Sequence, residues 1–301
     1  MEAQNNPVSI TIPPSTGTGG RLPTGPYTLV TYSTGSVMVR EVLDDWMEFL
    51  SPKPRAVVFA VPGGPAPPPI YGQLRDEGRI DHLLFIPPRG RSSNELYLEG
   101  VRAAVEAATT DWVVLFKLDA LPYRAGSDGW LAKAIEVAER HGCFGLTGSF
   151  RSHDLVPGPE GFSRTRRFSE NFSLFRRRVW LDLIDRRFKA GETSRYGYEV
   201  VVETHLESTG DYNLFRPETP EWTVFHINQW GEDLRRIREQ YRARRNIAAF
   251  MNVGVPLDRD EPRPRWQKYY GYPLPPLLRR ARARVGAWGR KLTGRVTADD
   301  R

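Results

Sequence analysis

NELYLEGVRAAVEAATTDWVVLFKLDALP, residues 94–122, contains a helix pattern followed directly by a strand pattern. Apolar side chains recur at helical spacing from Asn94 to Ala108, which predicts a helix with one apolar side. The stretch DWVVLFKL (111–118) is apolar almost throughout, as expected of a strand that is covered on both faces. The segment therefore predicts a helix that packs against a central strand of an α/β sheet.

Strand and helix patterns alternate on both sides of this segment. Strand patterns occur at 27–33, 55–61, 82–88 and 143–149, and helix patterns at 37–50, 71–77 and 129–141. Strands that alternate with helices form right-handed βαβ units around a parallel sheet. The sequence predicts an α/β domain with a mostly parallel central sheet flanked by helices.

The alternation breaks after residue 149. Residues 151–170 are rich in Arg, Pro, Gly and Ser and predict a long loop. A returning strand (172–177), a short helix (179–184), a helix (198–208), a strand (221–227) and a charged helix (231–251) follow.

The predicted sheet indicates where a ligand would bind. In parallel sheets, ligands lie beyond the carboxyl ends of the strands. The polar residues just after the predicted strands, or in the loops that follow them, are therefore the candidates for binding: Ser33, Thr34, Arg89, Arg91, Asn94, Lys117 and Asp119.

Charge and composition limit the class of protein. The 301 residues carry a net charge of +7, but residues 262–298 contain ten Lys or Arg and no acidic residue. The rest of the chain is close to neutral, which argues against a nucleic-acid-binding core. No stretch of about 18 apolar residues and no signal-peptide pattern occurs, and the single Cys143 excludes an internal disulfide. These features favour a cytoplasmic protein.

Composition also divides the chain into three parts. Residues 1–25 are rich in Pro, Gly, Ser and Thr and predict a disordered tail. The α/β domain is expected at 26–255, and a basic tail rich in Pro and Arg at 256–301. Within that tail, residues 277–292 place apolar side chains along one helical stripe with arginines mostly away from it, which is typical of a helix that lies on an anionic membrane.

Three segments carry a resemblance to a known family. In residues 94–122 the apolar strand ends at Lys117-Leu118-Asp119, with a proline shortly after. The other two are YGYEVVVETHLESTGDYNLFRP (196–217) and EWTVFHINQWGEDLRRIREQYRARRNIAAFMN (221–252). Their order and spacing resemble family-2-type glycosyltransferases of the GT-A fold, over roughly residues 27–252.

The resemblance implies a metal and donor site. In that family the apolar strand ends in Asp-x-Asp, which binds a divalent cation, Mg²⁺ or Mn²⁺, that holds the diphosphate of the donor. Asp119 matches the second Asp if Lys117 replaces the first, or the first if Leu121 replaces the second. In some relatives a His at the end of a late strand completes the metal site, and His226 stands at that position.

The resemblance also implies a catalytic base. In inverting members an acidic residue that opens a helix removes the proton of the acceptor hydroxyl. Glu199 is the best match, and Glu203 lies one turn further on the same helix face. A carboxylate at a helix N-terminus is stabilised in its charged form.

The implied activity is transfer of a sugar from a nucleotide-sugar donor to a glycan or a lipid-linked acceptor. A catalytically degenerate member that only binds a nucleotide sugar or a partner is the alternative, because one Asp-x-Asp carboxylate is absent. A nucleotidyltransferase ranks third, since the first predicted strand is not followed by a glycine-rich, basic loop.

Overall fold

The computed structural model describes residues 24–35, 38–64, 68–88, 92–124, 129–148, 155–189, 197–216, 222–226 and 231–243. Arg89, Arg91 and the basic tail predicted at 256–301 lie outside the described residues.

Seven α-helices and eleven strands occur in the described part of the chain. The helices are α1 (Val39–Phe49), α2 (Pro69–Asp76), α3 (Ser93–Ala107), α4 (Trp130–His141), α5 (Arg177–Lys189), α6 (Tyr198–Thr209) and α7 (Gly231–Arg242). The strands are β1 (Tyr27–Tyr32), β2 (Ala56–Pro62), β3 (His82–Ile86), β4 (Trp112–Phe116), β5 (Ala120–Arg124), β6 (Gly145–Thr147), β7 (Val156–Pro157), β8 (Ser163–Thr165), β9 (Phe172–Arg176), β10 (Asn213–Phe215) and β11 (Trp222–His226).

Nine of these strands form one sheet in the order β3-β2-β1-β4-β9-β6-β10-β8-β7. The pairings make β8 and β9 run opposite to the other seven strands. The predicted α/β class with a mostly parallel, helix-flanked sheet is thereby confirmed. Residues 155–165, which fall within the predicted loop, contribute β7 and β8 to the sheet edge, and α5 is longer than the predicted helix at 179–184.

A second, two-stranded sheet joins β5 to β11 in antiparallel pairing, with His226 opposite Ala120. The sequence patterns did not predict β5. It is five residues long and contains Pro122, which cannot donate a backbone hydrogen bond and is usually confined to edge strands. Its partner lies about a hundred residues away in sequence, so no local pattern indicates the pairing.

The core covers both faces of the large sheet. On one face, Trp46 of α1 lies against Phe116 and Phe172, with ring centroids 5.1 and 5.4 Å apart. On the other face, Trp180 of α5 packs edge-on against Tyr198 of α6 at 4.8 Å. On one face α1 supports the turn after β4, which carries Lys117 and Asp119. On the other face the packing of Tyr198 holds the start of α6, which carries Glu199.

Cys143 is buried in this core, as the sequence predicts. Burial raises the pKa of its thiol to about 11, so the group stays protonated and unreactive near neutral pH. Within the described residues, no helix combines the length and the apolar character needed to cross a membrane.

Candidate active site

The turn after β4 lies at the carboxyl edge of the sheet and is held from several sides. The hydroxyl of Thr31 donates to the carbonyl of Phe116 at 2.7 Å, and the backbone N–H of Lys117 donates to the carbonyl of Asn171 at 3.2 Å. The indole of Trp46 donates to the carbonyl of Ala120 at 3.1 Å. Lys117 and Asp119 are therefore presented from a backbone anchored to β1, α1 and the segment before β9.

Asp119 and His226 are brought together by the pairing of β5 with β11. The distance between Nε2 of His226 and Oδ2 of Asp119 is 3.0 Å. Asp119 is only 4 % exposed, and its other oxygen, Oδ1, is buried without a hydrogen-bond partner among the described residues. An unpartnered buried carboxylate oxygen is costly unless a ligand satisfies it.

The separation of 3.0 Å is the usual distance for a hydrogen bond between the two side chains. The unpartnered Oδ1 of Asp119 is the atom that is open to a cation or another ligand. The described residues contain no group of three or more His, Cys, Asp or Glu side chains that could hold a metal. Mg²⁺ is commonly held by one or two carboxylates together with phosphate oxygens and water, so a single carboxylate is compatible with an ion whose other ligands are not protein side chains.

Lys117, which stands where the family resemblance expects a carboxylate, has an acidic partner. Its ammonium nitrogen lies 3.5 Å from Oε2 of Glu170 and 4.8 Å from the centre of the Tyr97 ring. Glu170 is 6 % exposed and lies in the turn that leads into β9. The sequence patterns do not indicate Glu170 or Tyr97 as site residues. The only available signal was an acidic residue just before the predicted returning strand.

Glu199 lies in the first turn of α6, near Glu170 and Lys117. Its Oε1 accepts the backbone N–H of Glu170 at 2.9 Å. Burial raises the pKa of the Glu199 carboxyl, the negative charge of Glu170 raises it further, and the hydrogen bond and Lys117 oppose the shift.

Glu203, the second candidate for the base, is engaged in holding a loop. Its Oε2 accepts a hydrogen bond from Nη1 of Arg167 at 2.9 Å, and its Oε1 accepts the backbone N–H of Phe168 at 3.2 Å. Both oxygens therefore fix residues 167–168 against α6. These contacts favour Glu199 over Glu203 as the base.

The remaining candidates for donor binding lie at the ends of β1 and at the start of α3. The Ser33 hydroxyl is buried and hydrogen-bonded to the hydroxyl of Tyr71, which leaves it little capacity for a ligand. Thr34 and Asn94 are exposed. Asn94 lies inside a capping box in which Ser92 and Glu95 exchange hydrogen bonds, so its position at the helix start is well defined.

The position of Glu170 leads to a pH prediction. In Glu170→Gln the backbone N–H that binds Glu199 remains, but the neighbouring negative charge is gone. The pKa of Glu199 should fall, so a reaction that needs the deprotonated carboxylate should persist to lower pH. We expect the acidic limb of the kcat/KM profile to move to lower pH. If the acidic limb of the profile does not move, the charge of Glu170 has no effect on the pKa of Glu199, and Glu170 serves only to maintain the fold.

Comparisons with known proteins find no matching family model and no matching curated protein. Among solved structures, the mannosyltransferase PcManGT from Pyrobaculum calidifontis, in complex with GDP-Man and Mn²⁺, is 16% identical, with a TM-score of 0.45 over 77% of this chain and 64% of that one. S. aureus TarS 1–349 is 11% identical, with a TM-score of 0.37 over 53% of this chain and 49% of that one.

The chain thus spans less than two thirds of the length of each of these proteins. Similarity at these scores supports no statement about activity. The mostly parallel sheet and its flanking helices agree with the GT-A-like architecture that the sequence resemblance implies.

Proposed function

We propose that this chain is an inverting glycosyltransferase that moves a sugar from a nucleotide-sugar donor to a hydroxyl of a glycan or a lipid-linked acceptor. The observation that carries the proposal is the position of Glu199. A carboxylate with a raised pKa opens α6, in contact with Glu170, whose side chain pairs with Lys117. Lys117 in turn belongs to the same turn as Asp119 and its partner His226.

In the proposed reaction Glu199 is the general base. It takes the proton of the acceptor hydroxyl while the acceptor oxygen forms a bond to the anomeric carbon. The bond from that carbon to the diphosphate oxygen breaks on the opposite side, and its electron pair leaves with the nucleoside diphosphate. Because attack and departure occur on opposite faces, the anomeric configuration inverts. A raised pKa brings the base nearer to the operating pH, which makes proton transfer more effective.

On the donor side, Asp119 and His226 would hold a divalent cation, Mg²⁺ or Mn²⁺. Such an ion supplies a positive charge that stabilises the leaving diphosphate. Lys117 contributes a further positive charge in the same turn, and its pairing with Glu170 keeps the ammonium group over the Tyr97 ring. Thr34 and Asn94, with Arg89 and Arg91 from the sequence just before α3, are the proposed further donor contacts.

A donor-binding assay followed by a transfer assay tests this proposal. The full chain is heated with a panel of UDP- and GDP-sugars, with and without Mn²⁺, and the shift in Tm is recorded. The donors that raise Tm are then incubated with a glycan acceptor library, and release of nucleoside diphosphate is measured. A donor that stabilises the protein and is consumed supports the proposal. Absence of stabilisation by every donor contradicts it.

The second candidate is a protein that binds a nucleotide sugar without turnover. The observation in its favour is Lys117, which stands where the family resemblance expects a carboxylate and pairs with Glu170. This candidate predicts a rise in Tm with a donor but no release of nucleoside diphosphate at any pH, with or without Mn²⁺. The same two assays therefore separate the two candidates.

We also propose that the C-terminal tail attaches the protein to a membrane, where the enzyme would reach a lipid-linked acceptor. Residues 277–292 combine an apolar stripe containing Trp288 with five arginines and one lysine. Each basic group near an anionic surface contributes about 1 kcal/mol to binding. We expect the full chain to sediment with anionic vesicles at low salt and a chain truncated after Tyr272 to stay in solution. Equal sedimentation of both chains would remove the tail from the proposal.

A further inference from the structure

A cleft of about 580 Å³ opens beside α6, on the side of β7 and β8. This volume falls within the range of about 300–1,000 Å³ that is usual for ligand sites. Its walls carry three basic and three acidic side chains, and Tyr212 contributes an aromatic ring. The charged residues are Arg164, Arg166, Arg167, Glu203, Glu207 and Asp211.

The cleft lies along the same face of α6 as the proposed catalytic base, which is not one of its lining residues. Glu199, Glu203 and Glu207 follow each other at intervals of four residues and share one face of α6. At a rise of about 1.5 Å per residue, Glu203 is about 6 Å and Glu207 about 12 Å further along the helix axis. The segment from Arg167 to Glu170 runs beside this face, because Glu199 binds the N–H of Glu170 and Glu203 binds the N–H of Phe168. The cleft therefore begins about one helical turn from Glu199.

The charges in the cleft balance, so it has no net field that would attract a polyanion. Arg167 is paired with Glu203, and Arg164 lies over the Tyr212 ring at 5.3 Å. Arg166 and Glu207 are exposed and form no ion pair within the described part of the chain. They leave a guanidinium donor and a carboxylate acceptor free for a ligand.

We propose that this cleft binds a neutral oligosaccharide, namely the units of the acceptor beyond the one that reacts at Glu199. Sugar hydroxyls both donate and accept hydrogen bonds, so they match a wall that offers guanidinium donors on one side and carboxylate acceptors on the other. Tyr212 adds a ring with an apolar body and a polar tip. The assignment as an acceptor site rests on the proposed function, whereas binding of an oligosaccharide can be measured without it.

The test uses the full chain and four single variants. Arg166→Ala and Glu207→Ala each remove one exposed cleft side chain. Arg178→Ala on α5 and Glu136→Ala on α4 remove exposed side chains of the same types outside the cleft. Binding is measured without donor on an array of neutral and uronic-acid oligosaccharides, and Kd is then determined by calorimetry for the neutral glycan that gives the strongest signal. Hydrolysis of the donor in the absence of acceptor is measured in parallel.

We expect the two cleft variants to weaken binding of the neutral glycan about three- to tenfold and the two control variants to leave it unchanged. Donor hydrolysis should be the same in all five proteins. Glycan binding that depends on the cleft in a chain that turns over no donor would support the cleft and contradict the transferase. Three results in a chain that turns over donor would overturn the cleft proposal. They are no binding of any glycan, an equal Kd in the cleft and control variants, and binding of uronic-acid glycans only.

Discussion

Glu199→Gln is expected to lower the rate of sugar transfer about 10²- to 10⁴-fold, the usual contribution of a general base. The amide oxygen of Gln can still accept the backbone N–H of Glu170, so the local fold should persist. Only the ability to take a proton is lost. The measurement is kcat and KM for transfer, together with the Tm shift on donor binding, which should match that of the unaltered chain.

Two controls accompany this variant. Glu136→Gln changes an exposed acid on α4 and should have no effect. Glu203→Gln weakens the contact to Arg167 and should lower Tm modestly while transfer continues. If Glu203→Gln abolishes transfer and Glu199→Gln does not, the base is Glu203 and the assignment is wrong.

Asp119→Asn is expected to cut transfer at least about tenfold, or about 1.4 kcal/mol of transition-state stabilisation. The substitution preserves shape and hydrogen bonding to His226 but removes the negative charge that would attract a cation. We expect saturation with Mn²⁺ to need a higher concentration. Binding of Mn²⁺ alone, followed by electron paramagnetic resonance, should weaken in parallel.

Asp182→Asn, an exposed acid on α5, is the matched control for the charge change. Circular dichroism and Tm establish that Asp119→Asn is folded. A folded Asp119→Asn protein with unaltered kinetics and unaltered Mn²⁺ binding would refute the donor-site role of Asp119. Loss of transfer with unaltered Mn²⁺ binding would show that Asp119 is needed for transfer but does not bind the cation.

Local patterns were sufficient to predict most of the sheet. Continuous apolar runs such as 111–118 mark strands covered on both faces, and helical spacing marks α1, α3 and α4 with boundaries within two residues. These signals are local because the spacing of apolar residues within one helix or strand determines which of its side chains are buried. The position of Asp119 at a carboxyl strand end and of Glu199 at a helix start followed from the same patterns and from the order of motifs.

The partners of these residues could not be predicted, because they come from distant parts of the chain. Asp119 meets His226 only through the pairing of β5 with β11, and Pro122 conceals β5 in the sequence. Lys117 looks like the loss of a carboxylate until Glu170 is found 3.5 Å from its ammonium group. Glu203 resembles an accessible acid until its two oxygens are found on Arg167 and Phe168.

The amino-acid pattern thus determined the α/β class and the sheet edge that carries the candidate site, since each depends on periodicity within about ten residues. The roles of Asp119 and Glu199 came from the family resemblance and stay predictions. The folded chain added the pairing of Lys117 with Glu170, the raised pKa of Glu199 and the cleft beside α6. Burial and electrostatic coupling depend on which residues meet in space. That choice is made by strand pairing and helix packing between segments far apart in sequence.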